Sequence, residues 1–336
     1  MKKITALMLS FLILLFALVS CGNPERGQAE SLPPEDAESN TANADLSEQG
    51  PVSFDDVHPA LWRVTSENGG ELYLFGTIHV GDEHNDAALA NIMPYLGSCD
   101  SLAVEFDALA YENDLEQQMN DIVSFIYTDG TTVEDHMPHD LFERTKQFLA
   151  ENGMYVPMME SYSIALWSQL VEQALLMESD LQREKAMDLL LIDYANENGM
   201  EILELESAAF QYGILLSAPD EYYVLALEET LDNAEMYNAS LMLTYVYWYS
   251  GNVELLAEVL NEENGGDYTE EEKRLIEDFN KKLIDERNAG MTDKAIGYLQ
   301  SGKKVFLAVG AGHMCGETGI VKSLERAGYT VTRVEN

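Results

Sequence analysis

Basic residues are scarce in this chain. Lys plus Arg number 19 against 60 Asp plus Glu, a formal net charge of -41. Non-specific nucleic-acid binding depends on cationic side chains that neutralise phosphates, so nucleic acid is excluded as a partner. A field of this sign gathers cations instead, although most of the carboxylates belong to solvated faces. Cysteine is nearly absent too: with Cys21 set aside for the reason given below, only Cys99 and Cys315 remain, too few for a disulfide scaffold. Cys315, two residues after His313, reads as a small loop residue or a partner for Cys99 rather than a thiolate ligand. There is no His-Glu-x-x-His helix, which excludes the zincin arrangement. Nor is there an internal repeat, apart from one short echo.

That echo is Gly-x-x-His, which occurs as Gly76-Thr77-Ile78-His79 and again as Gly310-Ala311-Gly312-His313. Each follows an apolar run that reads as a buried strand, Leu72 to Phe75 and Val305 to Val309. Two such strands in one parallel sheet bring both imidazoles to the same rim. A third apolar strand, Ser101 to Phe106, carries Glu105, a carboxylate that is costly to bury without a partner. His79, Glu105 and His313 thus form a ligand set for a divalent ion, with zinc, manganese or cobalt suited to imidazole and carboxylate donors. Glu105 is open to two roles, metal ligand or general base.

The first residues set the compartment. Met1-Lys2-Lys3 is a basic leader, and Ile4 to Val19 is apolar but short for a membrane span. Leu18-Val19-Ser20-Cys21 then resembles the lipobox of a bacterial lipoprotein signal. The resemblance implies a signal peptide over residues 1–20 and a lipidated Cys21 carrying diacylglycerol and palmitate-type chains. It also implies an extracytoplasmic protein of the cell envelope, anchored to a membrane by that lipid. Residues 21–57, rich in Glu, Asp, Ser, Pro and Asn, lack apolar periodicity and read as a flexible acidic tether.

Residues 58–336 are the folded part, with structure beginning near Leu61. The size suits one large α/β domain, α+β being the alternative, or a sheet domain with a helical insertion. Leu61 to Thr65 and Glu71 to Phe75 flank Glu67-Asn68-Gly69-Gly70, a hairpin signal. Ala88 to Leu96 reads as a short helix. From Leu115 to about Leu260 the pattern is mainly helical, interrupted by a strand-like run at Glu201 to Leu205 that follows a helix around Asp188 to Asn196 stopped by Gly199. Thr269-x-x-Glu272 is a capping box opening a helix to about Arg287; a second helix covers Met291 to Gln300, and Gly302 ends it. A helix from Gly319 to Ala327 and a strand from Tyr329 to Val334 close the chain. His136 and His139 read as an exposed loop, His84 as a loop histidine, and Tyr245, Tyr247, Trp248 and Tyr249 as core packing.

Several longer patterns now come together. They are Leu72 to Asp82 around His79, Val104-Glu105-Phe106-Asp107, Met187-Asp188 through Ala195, Leu205-Glu206 with Gln211, and Trp248-Tyr249-Ser250-Gly251-Asn252, with Asn where the pattern has Asp. Arg287-Asn288-x-x-Met291, Val309 to His313, Gly316, Gly319 and Gly328 to Val331 complete them. In this order they resemble the TraB/PrgY/GumN family, across nearly everything from Leu61 onward. The resemblance implies a central, mostly parallel sheet wrapped by helices, with a large helical middle region, as in erythromycin-esterase-like and ChaN-like proteins. From the family's Tiki branch it implies a metal-dependent hydrolase of the metallopeptidase kind. Arg287, at the end of a helix shortly before the His313 strand, is then the expected electrophilic group, its fork suited to an oxyanion or a substrate carboxylate. Glu206, Asp188 and Asn288 are expected to support the ligands or meet substrate. Two readings stay open: a hydrolase of peptides or proteins, and a non-catalytic lipoprotein that sequesters a peptide signal or a metal-containing ligand.

Overall fold

The computed structural model describes residues 57–260 and 268–335. The signal segment, Cys21 and almost all of the acidic tether lie outside the described residues. Six strands form one mixed sheet in the order β4-β3-β5-β2-β1-β6, where β1 is Leu61–Thr65, β2 Glu71–Thr77, β3 Ser101–Val104, β4 Glu201–Glu204, β5 Lys304–Gly310 and β6 Thr330–Arg333. β2, β3, β4 and β5 run parallel. β1 is antiparallel to β2 through the hairpin and antiparallel to β6 at the edge. The class is α/β, as the alternation of apolar strands and helices requires.

Alternation along the central strands sorts side chains onto two faces. Leu72, Leu74, Leu307 and Val309 pack with Met291, Ala295, Leu299, Ile320 and Leu324. Tyr73, Phe75, Phe306 and Ala308 face a larger cluster built from the helical middle region. Both faces are therefore covered, which is why β2 and β5 read as continuous apolar runs rather than as alternating ones.

Local signals end the helices where the residues require it. Gly199 and Gly302 close their helices with φ of 65° and 75°, a conformation that favours glycine. Thr269 and Glu272 make the reciprocal capping box. Beyond it the backbone does not stop near Arg287. The helix Glu270–Asn280 runs through a π-helical turn, Lys281–Glu286, directly into the helix Arg287–Ser301. The first helix after β2 also starts earlier than the apolar pattern suggests, at His84, and contains Pro94. Among the described residues no helix is long and apolar enough to cross a membrane.

Candidate metal and active site

Parallel pairing of β2 with β5 places Thr77 beside Gly310, so the two Gly-x-x-His segments leave the sheet side by side. β3 lies on the other side of β5, with Val104 opposite Ala308, and Glu105 follows one residue later. All three groups meet at the carboxyl ends of parallel strands, the usual crevice of open α/β sheets. Gly310 sits at the focus. A methyl group built on its Cα would lie 3.1 Å from His79 Nε2, 3.3 Å from Glu105 Oε1 and 3.7 Å from His313 Cδ2. Glycine there leaves the space in which the three side chains converge.

His313 is aimed by a hydrogen-bonded partner on its Nδ1, and His79 has a carboxylate near its own. Asn288 Oδ1 lies 2.7 Å from His313 Nδ1 and accepts its proton, which leaves Nε2 with the lone pair. The His79 loop is tied down by a bridge between Gly81 and Gln182 and by Met187 N donating to Ile78 O at 3.0 Å. That tie brings Asp188, in the first turn of the helix Met187–Asn198, to 3.4 Å from His79 Nδ1. Both Nε2 atoms are buried and have no hydrogen-bond partner. Buried polar atoms are rarely left so, and two convergent imidazole nitrogens are what an ion site presents.

Charge is organised around Glu105. The β3–β4 ladder continues past the strands, with Leu205 N donating to Val104 O and Glu206 N to Glu105 O, so the carboxylates of Glu105 and Glu206 come together. Arg287 lies between them. Its Nη2 donates to Glu105 Oε2 at 2.6 Å and to Glu206 Oε2 at 2.8 Å, its Nε to both Glu206 oxygens at 3.0 Å, and its Nη1 to Leu283 O within the π turn at 3.2 Å. Gln211 Nε2 bonds both carboxylates, at 2.8 and 3.0 Å, and Gly310 N–H donates to Glu105 Oε1 at 2.7 Å. Burial alone would raise the Glu105 carboxyl. The charges of Arg287, His313 and His79 and the Gly310 N–H outweigh it and hold Glu105 ionised, well below the usual carboxylate range. Burial and the Arg287 charge push His313 down to about 3, so its ring is neutral and able to ligate. In His79 burial acts the same way but loses to the Asp188 and Glu105 charges, and the pKa is raised.

Among the described residues no group of three His, Cys, Asp or Glu side chains stands as a ready-made ion site. The separation of His313 Nε2 from Glu105 Oε1 is 3.9 Å. Ligands on one tetrahedral ion at 2.0–2.2 Å lie about 3.4 Å apart, so this pair stands about half an ångström wider than an ion would hold it. The orphaned imidazoles and the open side of Gly310 fit an ion; the spacing is slightly wide for it.

Beside the histidines opens a cavity of about 620 Å³, within the ~300–1,000 Å³ range of small-ligand sites. Its floor is the two Gly-x-x-His loops, and its walls come from the helices Ala234–Tyr249, Val253–Leu260 and Glu270–Asn280 with the π turn. Glu105 and Arg287 do not line it, Arg287 being almost wholly buried with its Nε and Nη2 on carboxylates and its Nη1 on Leu283 O. The oxyanion contact expected of Arg287 therefore does not fit this geometry; its place is behind Glu105.

Other sequence expectations are corrected. Arg287 is not at a helix end but mid-run, after the π turn. His136 is not an exposed loop residue; it stacks on Tyr127 with ring centroids 3.8 Å apart and lies 2.6 Å from Asp220, while His139 stays exposed. His84 opens a helix and lies 2.8 Å from Asp82. Cys99 and Cys315 are unpaired. Tyr245, Trp248 and Tyr249 are core residues as expected, and Trp248 also walls the cavity. Gln211 and Gly310 are the site residues that patterning left without a role; the signal was there for Gly310, a glycine at the end of a buried strand.

A model of the TraB/PrgY/gumN family matches residues 60–333, most of the chain. Neither the curated proteins nor the solved structures give a match.

Proposed function

The chain belongs to the TraB/PrgY/gumN family, and from that premise we propose that its folded part is a divalent-ion-dependent hydrolase, acting on peptides outside the cell membrane and tethered there by lipid on Cys21. The observation that carries this reading is the pair of buried, partnerless Nε2 atoms of His79 and His313, converging with Glu105 at the edge of an open cavity. His79, His313 and Glu105 Oε1 would hold manganese, cobalt or zinc. When bound, the ion supplies Lewis acidity toward a carbonyl and lowers the pKa of a water from 15.7 to about 7.

The chain's own residues do the rest. Asn288 fixes which nitrogen His313 presents, and the Asp188 carboxylate lies 3.4 Å from His79 Nδ1. Arg287 and Gln211 hold Glu105 through Oε2, which leaves Oε1, on the Gly310 and His313 side, as the oxygen suited to ligation. Arg287 is thus a positioning residue. The cavity receives the substrate beside the histidines and limits water around it.

One observation favours the non-catalytic alternative, a lipoprotein that binds and sequesters a peptide. Both Glu105 oxygens are already held, Oε2 by Arg287 and Gln211 and Oε1 by the Gly310 N–H, and Glu105 does not line the cavity, which places it poorly for taking a proton beside a substrate. The deciding experiment loads purified protein with each ion, screens a peptide library by mass spectrometry, and repeats the screen with chelator and with His79→Ala and His313→Ala. Ion-dependent cleavage lost in both variants supports the hydrolase; binding without cleavage under every ion overturns it in favour of sequestration.

A further inference from the structure

The cavity beside His79 and His313 has two chemically distinct parts. Its depth is apolar: Leu241, Trp248, Leu256, Leu260 and Ile284 line it. Two polar groups among these walls are already committed. Trp248 Nε1 donates to Gly76 O at 2.7 Å, and the Thr244 hydroxyl donates to Ser240 O at 3.0 Å. This part therefore offers carbon surface and rewards a bulky apolar side chain.

The mouth is acidic. Glu277 and Asp285 lie two turns apart on the helix that runs through the π segment, with Lys281 between them, and all three line the cavity. Glu317 adds a further carboxylate on the opposite loop, 3.8 Å from Arg326. The rim is net negative on a chain whose formal charge is -41, so an anionic ligand meets repulsion both at the mouth and on approach.

Resting on the hydrolase reading only for where the reacting bond lies, we infer that this cleft takes a peptide that places a bulky apolar side chain in the pocket and a cationic group, a Lys or Arg side chain or a free amine, at the Glu277–Asp285 rim. Apolar burial gives affinity, and the rim selects between peptides of opposite charge. Acidic peptides are rejected even when their apolar residue fits, since they set like charges against each other.

Equilibrium binding with chelator present tests this apart from turnover. The probes are a short fluorescent peptide bearing Leu and Lys, its twin with Glu for Lys, and its twin with Ser for Leu, titrated into the full chain. The expected order is the Leu/Lys peptide tightest, with the Glu twin weaker by about fivefold or more and more so at low salt. Glu277→Lys with Asp285→Lys should erase or reverse that charge preference while leaving the Leu-over-Ser preference in place. Equal or tighter binding of the Glu twin to the wild-type chain overturns the inference, and so does a charge preference that survives the double substitution. Selective binding without cleavage on adding ion would support this inference and sink the hydrolase reading; cleavage without charge preference would do the reverse.

Discussion

Arg287 Nη2 lies 2.6 Å from Glu105 Oε2, with both side chains buried, and the same nitrogen holds Glu206 at 2.8 Å. One guanidinium thus serves two carboxylates, and its own charge is further stabilised by them. Removing one partner of a buried pair leaves an uncompensated charge, a loss of roughly 3–5 kcal/mol. Arg287→Met should lower stability by about that much in urea unfolding at pH 7, and Glu206→Gln in the same background should recover part of it. A single Arg287→Met with an unchanged midpoint would contradict a stabilising role for this buried pair.

Asn288 supports the site through His313. Asn288→Ala removes the acceptor that fixes the His313 tautomer, and loss of such a partner typically lowers metal affinity by about 10–100-fold. Titration with zinc or manganese should show that loss while circular dichroism stays unchanged. Affinity equal to wild type would place His313 outside the ligand set.

Gly310 tests convergence by volume. Its φ of -45° is open to any residue, yet an alanine methyl would come within 3.1 Å of His79 Nε2 and 3.3 Å of Glu105 Oε1. Gly310→Ala should therefore fold and fail to retain an ion after dialysis. Full ion retention would show that the ligands do not meet in front of Gly310.

Glu172 lies far from this chemistry, buried on the helix Ile164–Met177 with Oε2 lacking a hydrogen-bond partner. Burial raises its pKa well above the ordinary value, and Tyr222, Tyr223 and Tyr237 face it, each raised in part by its charge. A raised carboxyl binds more protons in the folded state than in the unfolded one, so its contribution is intact below the unfolded value of about 4.3 and is lost as pH rises through the folded value. Glu172→Gln should raise the melting temperature at pH 8 and confer little at pH 4. A Tm difference that does not change across this range would contradict the assignment.

The sheet and the three converging groups were legible because they rest on short-range patterns. Apolar runs mark strands buried on both faces, and a parallel pair ending in Gly-x-x-His fixes the rim for His79 and His313. The hairpin at Glu67 to Gly70, the capping box at Thr269 and the stops at Gly199 and Gly302 are local for the same reason. What the sequence hid depends on long-range pairing. The Asn288–His313 bond spans 25 positions, and Arg287 reaches Glu105 across 182. The π turn at Lys281–Glu286 has no apolar periodicity of its own, so one bent helix read as two. Arg287 looked like a group for substrate because its two carboxylates are brought beside it only by the β3–β4 ladder.

The central claim is that His79, Glu105 and His313 share one divalent ion. Crystals grown with manganese or zinc and measured at the metal's absorption edge test it directly. The account predicts one anomalous peak in front of Gly310, at ~2.0–2.2 Å from Nε2 of both histidines and from Glu105 Oε1. A peak elsewhere, or none at saturating ion with the two imidazoles still apart, would contradict it.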